Sequence, residues 1–337
     1  MTQESTTTDT PEKIMLVWLD RNYFVRQWQF LVSRQICVIK FQTSFMSYNS
    51  GSSYPQAIVT RFAPSPNGNL HLGHAFAALY SAHLADQSKG QFLLRFEDID
   101  TERCRVEFEQ SIIQDLRWLG LRWNKNIRRQ SLHFKDYKLA IDRLDSMDLL
   151  YPCFCTRRDI RSEIARASEA PSDREHPVYP GTCRQLSQRE RRTRINEGQP
   201  YALRLMTDIG MDLAGSLVWL DKKKGIVECR AEQFGDVILA RKDFPTSYHL
   251  SVTIDDHIQG VTLVTRGEDL YCATHIHRLL QALLDLSVPM YDHHTLIQDE
   301  KGNKLSKRNS PMTLKSLRET GNSPAEVAAQ TGFKIHD

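Results

Sequence analysis

The chain carries almost no net charge: 44 Lys and Arg stand against 41 Asp and Glu in 337 residues, leaving +3. That is too little for a protein that packages nucleic acid over its whole surface, so any nucleic-acid face must be local. Cysteine is sparse and odd in number, at seven, which argues against a secreted disulfide scaffold and for a reducing, cytoplasmic setting. Long apolar runs are missing as well. The longest, such as Ile14 to Leu19, fall far short of the ~20 residues of a spanning helix, so no membrane is expected. The same stretch is cut by Asp20 and Arg21 and lacks a small-residue cleavage site, so it does not read as a secretory leader.

What remains is ordinary globular composition, 40% apolar and 25% charged. The length suggests two domains, or one with an insertion. No internal repeat is visible. Residues 1–55 form an uncertain N-terminal arm, disordered or mis-started, with Met46 as an alternative start. Order is expected from Ala57 to Phe62, a β-branched run stopped by Pro64 and Pro66. A helical pattern follows over 73–85 and a strand over 92–96, together a βαβ unit with a buried parallel sheet. Further helices are expected over 109–119, 134–147 and 276–286, and strands over 236–240 and 261–265. The α/β domain therefore runs over 56–150, is interrupted by an α+β module over 151–235, resumes over 236–310, and ends in a short helical tail over 311–337.

Two short motifs carry the chemistry. In Arg61 to His74, R-F-A-P-S-P-N-G-N-L-H-L-G-H, a strand turns into a helix whose N-terminus offers unpaired N–H groups and a positive dipole end to phosphate. His71 and His74 add donors, and Gly73 lets a flat base approach the backbone. The second motif is Lys304-Leu305-Ser306-Lys307-Arg308, after Gly302. Alone it is a solvated basic loop. If the chain returns here to the histidine turn, its lysines close over a pyrophosphate leaving group.

In this order and across a split domain, the two motifs resemble the signatures of class I aminoacyl-tRNA synthetases. R-F-A-P-S-P-N-G, R-F-E-D-I-D (Arg95 to Asp100) and the run from Tyr248 to Leu270 resemble glutamyl-tRNA synthetases in particular, over about residues 57 to 310. Within that group the chain is similar to the short glutamyl-Q tRNA(Asp) synthetase family. The resemblance implies a class I Rossmann-like fold, ATP bound by Pro64, His71, Gly73, His74, Lys304 and Lys307, and His71, His74 and Lys307 as the catalytic groups. It places Arg61, Phe62, Ala63, Pro64, Ser65, Glu97, Tyr248 and Arg266 in a glutamate site. Glutamate needs cations for two carboxylates and an acceptor for its ammonium. Arg61 and Arg266 are the candidate cations and Glu97 the acceptor; which arginine takes the side chain stays open.

Cys153, Cys155 and Cys183 suit a tetrahedral Zn²⁺ that would staple the insertion, with Tyr179 or His176 as a fourth ligand. The family pattern C-x-C, Y-x-x-x-C implies Tyr179. Cys37, Cys104, Cys229 and Cys272 have no such spacing and read as buried small hydrophobes. Residues 151–206 hold 11 Arg against 7 Asp and Glu, and Arg157, Arg158, Arg161, Arg184, Arg189, Arg191, Arg192 and Arg194 read as a phosphate-binding face.

The resemblance thus implies an enzyme that activates L-glutamate with ATP, Mg²⁺ arriving on the ATP, and passes it to queuosine in the anticodon of tRNA(Asp). It is expected to act as a monomer in the cytoplasm. Two alternatives stand beside it: a catalytic fragment charging the 3′ end of tRNA(Glu), and a non-catalytic zinc-containing RNA-binding protein. His74, where some short members carry Ser, leans towards the first alternative. Only 29 residues follow Arg308, fewer than the ~100 of a separate anticodon-binding domain, which leans towards the glutamyl-Q reading.

Overall fold

The computed structural model describes residues 57–123, 126–156, 158–159, 178–297 and 312–333. In chain order, Val59–Phe62 (β1) leads through a Pro-rich turn into Leu72–Gln87 (α1), and Gln91–Phe96 (β2) follows. Val106–Trp118 (α2), Arg128–Arg129 (β3) and Phe134–Asp145 (α3) complete the first half. Then come Leu150–Cys153 (β4), Gln188–Asn196 (α4), Ala202–Leu205 (β5), Thr207–Ala214 (α5), Val218–Asp221 (β6), Gly225–Glu228 (β7) and Ile238–Ala240 (β8). The second half holds Tyr248–Ile258 (α6), Leu263–Gly267 (β9), Ala273–Leu283 (α7) and Met290–His294 (β10), with Leu314–Glu319 (α8) and Pro324–Gln330 (α9) beyond.

The βαβ unit read from the sequence is present. β1 and β2 pair in parallel, Val59 opposite Gln91 and Phe62 opposite Leu94. Between them α1 lays Ala75, Ala78, Leu79 and Ala85 on the sheet, small side chains that allow a close approach. Its return is tight: a Cβ on Gly90 would lie 1.9 Å from the Ile58 carbonyl oxygen, so only glycine fits. β2 continues in parallel to β3. In the other half β9 and β10 are parallel, Met290 opposite Leu263 and His294 opposite Gly267, and β10 pairs with β6. The halves meet edge to edge, where Thr262 N–H donates to the Val59 carbonyl at 3.0 Å and Val59 N–H to Thr262 Oγ1 at 2.9 Å. A contact across some 200 residues of chain therefore sets the edge of one sheet against the edge of the other.

Sheet membership does not follow a boundary at residue 235. β6 and β7 form an antiparallel hairpin that joins β10, so they extend the parallel half, whereas β8 pairs antiparallel with β5 beside β4. Pairing partners, not chain order, decide which strands share a sheet. Leu314, Leu317 and Val327 of the tail sit in one apolar cluster with Phe62, Leu70 and Ala75. Among the described residues no helix is long and apolar enough to cross a membrane. Cys229 is buried as expected, but Cys104 and Cys272 are only half-buried, and Cys37 lies outside the described residues.

Candidate active site

The turn after β1 is organised by its own histidines. His71 is the N-cap of α1: its Nδ1 accepts from the Gly73 N–H at 3.1 Å, while His74 Nδ1 accepts from the His71 N–H at 3.2 Å. Two orphan amides of the first turn are satisfied in this way. With Nδ1 used as an acceptor, a neutral imidazole carries its proton on Nε2, the far side of each ring. A Cβ on Gly73 would stand 3.0 Å from His71 Cε1 and 3.2 Å from Nδ1, so glycine keeps that ring in place. Lys304 and Lys307 lie outside the described residues, but both flanks of their segment reach α1. His294 packs edge-on against Phe76 with ring centroids 4.9 Å apart, and Thr313 bridges to His71 while Leu314 N–H donates to the Leu70 carbonyl at 2.8 Å.

Beside this turn lies a buried ionic cluster. Asp256 is shared by two arginines, Arg61 Nε at 3.0 Å and Arg95 Nη1 at 2.8 Å. Although burial raises its carboxyl, Arg61 and Arg95 hold the Asp256 carboxylate below its ordinary range overall. Arg95 also reaches Glu97 at 3.3 Å and Gln259 Oε1 at 2.9 Å. Asp255 is bound by Arg128 at 2.7 Å, by Gln130 and by the Tyr137 hydroxyl. Glu97 is still accessible, its side chain 13% exposed. Burial pushes its carboxyl up against the pull of Arg95 and Arg61, so a cationic ligand would restore the charged form.

Arg61, Glu97, Tyr248 and Arg266 come together here, the arginines at the ends of β1 and β9. Burial raises the Tyr248 phenol, with Arg266 and Arg61 pulling it down and Glu97 and Asp256 pushing it up, so all four charges act on one hydroxyl. Of residues 62–65, Phe62 and Pro64 are buried and Ala63 and Ser65 are half-buried. The Phe62 side chain packs into the core, so backbone is what this residue offers a ligand. The Pro64 carbonyl accepts from Glu97 N–H at 3.1 Å, tying the Pro-rich turn to the acidic one. The two arginines differ in one respect. Arg61 spends its charge on Asp256, whereas among the described residues Arg266 bonds to His293, His277 and Thr274 and lies over the Tyr291 ring, none of them a carboxylate. Sequence reasoning assigned no role to Arg95, Asp255, Asp256, His277 or His293. Arg95, Asp255 and Asp256 lay within quoted motifs, but only folding shows which charges pair.

At the edge of the antiparallel sheet, Cys153, Cys155 and Cys183 place their sulfurs within 4.8 Å of one another. The Tyr179 hydroxyl lies 3.4 Å from Cys153 Sγ and 3.5 Å from Cys155 Sγ, and the Cys155 and Cys183 sulfurs are 3.4 Å apart. These separations suit the corners of a tetrahedron about an ion with Zn–S bonds of about 2.3 Å. Burial pushes the Cys155 thiol to about 12, whereas at Cys183 burial is outweighed by hydrogen bonds from the Phe154 N–H and its neighbours and the thiol is lowered; a cation would favour the Cys155 thiolate as well. His176 lies outside the described residues.

The basic face divides in two. Arg184 is held by Asp208 at 2.9 Å and Asp236 at 3.5 Å, and Arg191 donates to the Arg184 carbonyl; these two are structural. Arg194 lies over the Phe154 ring. Arg158, Arg189 and Arg192 are exposed, and Arg157 and Arg161 lie outside the described residues.

Residues 57–331 match the family described as class I tRNA synthetases (E and Q), catalytic domain. The glutamyl-Q tRNA(Asp) synthetase of Rhodobacter capsulatus is 45% identical over 282 residues, 82% of this chain and 100% of that one. The chain belongs to the glutamyl-Q tRNA(Asp) synthetase family. As a member of that family it is a ligase-type enzyme built on the class I synthetase catalytic domain. Glutamyl-Q synthetases share this domain with longer proteins. The glutamate–tRNA ligase of Aquifex aeolicus is 36% identical over 79% of this chain, which covers 55% of that ligase. A crystal structure of a glutamate tRNA ligase from Elizabethkingia meningosepticum superposes with a TM-score of 0.64 at 28% identity, covering 79% of this chain and 53% of that one.

Proposed function

We propose that this protein activates L-glutamate with ATP, without needing tRNA, and transfers it to the queuosine base in the anticodon of tRNA(Asp). The observation that carries the reading is geometric. The histidine turn follows β1, which carries Arg61, while Glu97 follows β2 and Arg266 stands near the carboxyl end of β9, with Tyr248 at the start of α6; the carboxyl ends of parallel strands are where open α/β sheets bind ligands. The full-length match to the R. capsulatus protein supports the choice of acceptor.

Activation is a direct displacement. An oxygen of the glutamate α-carboxylate attacks the α-phosphorus of ATP, the new C–O–P bond forms as the bond to the bridging oxygen breaks, and pyrophosphate leaves. The chain supplies alignment and charge, not a nucleophile. Glu97 accepts from the substrate ammonium. Arg266, which pairs with no carboxylate among the described residues, takes the side-chain carboxylate, with Tyr248 beside it. His71 and His74 donate Nε2–H to phosphate oxygens, and Lys304 and Lys307 neutralise the departing pyrophosphate from the segment anchored on α1 at both flanks. Mg²⁺ enters with ATP. A Zn²⁺ held by Cys153, Cys155, Tyr179 and Cys183 would cross-link the module that bears Arg189 and Arg192, the cations offered to RNA phosphates.

ATP–pyrophosphate exchange with glutamate and no tRNA tests the first step; no exchange sinks it. Transfer of labelled glutamate to tRNA(Asp) with and without queuosine tests the second. Equal acceptance by both sinks the queuosine assignment. Similarity to the A. aeolicus ligase favours a second reading, charging of the 3′ end of tRNA(Glu), which acylation of that tRNA would reveal.

A further inference from the structure

Arg266 sits in the middle of a buried chain of polar side chains. Its Nε donates to His293 Nε2 at 3.2 Å, its Nη1 meets His277 Nδ1 at 3.1 Å, and its Nη2 donates to Thr274 Oγ1. Behind these, His293 Nδ1 lies 2.7 Å from Asp221 Oδ2 and His277 Nε2 lies 3.2 Å from His249 Nδ1. Burial first, and the Arg266 charge second, depress all three imidazoles, His249 and His293 to about 4, so the rings are neutral at neutral pH.

A neutral imidazole has one donor and one acceptor, and a guanidinium only donates. The ring nitrogens that face Arg266 are therefore acceptors, and the opposite nitrogens carry the protons: Nδ1 of His293 towards Asp221, Nε2 of His277 towards His249. Asp221 is fixed in its turn. Its Oδ1 accepts the backbone N–H groups of Lys223 and Lys224, each at 2.9 Å, which leaves Oδ2 for His293. From the same turn between β6 and β7, Lys223 Nζ donates to the His293 carbonyl at 2.8 Å and Lys222 N–H to the Tyr291 carbonyl at 2.8 Å. The hairpin turn thus grips β10 on both sides of the ring that supports Arg266.

We propose that Asp221 and His293 are positioning residues for the amino-acid pocket, holding Arg266 from behind with a neutral acceptor so that its remaining N–H groups and its charge, met by no carboxylate among the described residues, are kept for a substrate carboxylate. A carboxylate in place of the His293 acceptor would cancel that charge and weaken the preference for a carboxylate over an amide. The inference rests on Arg266 being a glutamate ligand.

Asp221→Asn tests it without changing shape. The Asn Oδ1 still serves two backbone N–H groups, so its amide NH₂ faces His293 Nδ1 and donates. That drives the His293 proton to Nε2, where it opposes the Arg266 N–H. In the full-length protein, ¹⁵N shifts of the His293 ring should show a protonated Nδ1 in the wild type and a protonated Nε2 in the variant. In ATP–pyrophosphate exchange the glutamate KM should rise roughly tenfold to a hundredfold, as expected for a buried donor left unpaired, with the KM for ATP unchanged and the preference for glutamate over glutamine reduced. His293→Gln, which keeps an acceptor, should retain most of the affinity that His293→Phe loses, and this pair carries the test if Asp221→Asn does not fold. An inverted ring with an unchanged glutamate KM overturns the positioning role, and an uninverted ring overturns the hydrogen-bond chain. A wild-type protein with no glutamate-dependent exchange fails the underlying reading instead, and is recognised as such because the ring pattern is read without substrate.

Discussion

His71 and His74 cap the same helix from the same turn, each ring using Nδ1 to accept a backbone N–H, with their centroids 3.8 Å apart. One pair of bonds thus holds the start of α1 and puts the proton of each neutral ring on Nε2. Structural and chemical duties are separable at His71, because asparagine is as good an N-cap as any residue.

His71→Asn is expected to leave thermal stability within about 1 kcal/mol of the wild type while glutamate-dependent exchange falls on the order of a hundredfold, the loss typical of one preorganised donor. Melting curves and exchange rates on the same preparation check this. An active Asn variant would end the phosphate role of the ring.

Asp115 supplies a pH dependence. It is fully buried, its Oδ2 has no hydrogen-bond partner among the described residues, and Arg318 of α8 reaches only Oδ1, at 3.2 Å. Burial outweighs Arg318 and raises the carboxyl to about 6, against about 3.9 in an unfolded chain. The folded state therefore binds this proton more tightly, and the stability it contributes is present below pH 4 and lost as pH rises through about 6. Measured by urea unfolding, Asp115→Asn should gain on the wild type by about 2 kcal/mol between pH 4 and pH 7. Parallel stability curves would contradict the raised value.

The thiol cluster predicts stoichiometric metal. One zinc per chain is expected by elemental analysis of protein purified without chelator, and Cys155→Ser should lose most of it and lower the melting temperature. Full zinc in that variant would move the site elsewhere.

Arg189 and Arg192 are exposed and, among the described residues, make no ion pair of the kind that occupies Arg184. Their double replacement by Glu is expected to raise the tRNA KM at least roughly tenfold and flatten its salt dependence, with glutamate activation unchanged. An unaltered salt slope would make α4 a solvated helix only.

Local pattern carried much of the fold. The β-branched run before two prolines is β1, and the spacing expected over 73–85, 134–147 and 276–286 falls on α1, α3 and α7 within three residues at each end. The departures are where partners outweigh pattern. By sequence order the short β8 belongs with the second half of the domain, yet it pairs with β5, and β6 and β7 cross the expected module boundary to extend β10. Nothing in a three- or four-residue strand says which edge it will join.

The candidate site divides the same way. Local sequence places His71, Gly73 and His74 at a helix start and the cysteines on a C-x-C step, because these are local geometries, and the ordered pair of motifs and the family resemblance give them their chemistry. It could not separate Arg61 from Arg266, since both are arginines near strand ends. Tertiary structure separates them: Asp256, 195 positions away, lies against Arg61, while the neutral rings of His277 and His293 surround Arg266. A guanidinium's charge is intrinsic to its residue, but whether that charge is already cancelled depends on which side chains are buried beside it, and that is decided only when distant strands are brought edge to edge.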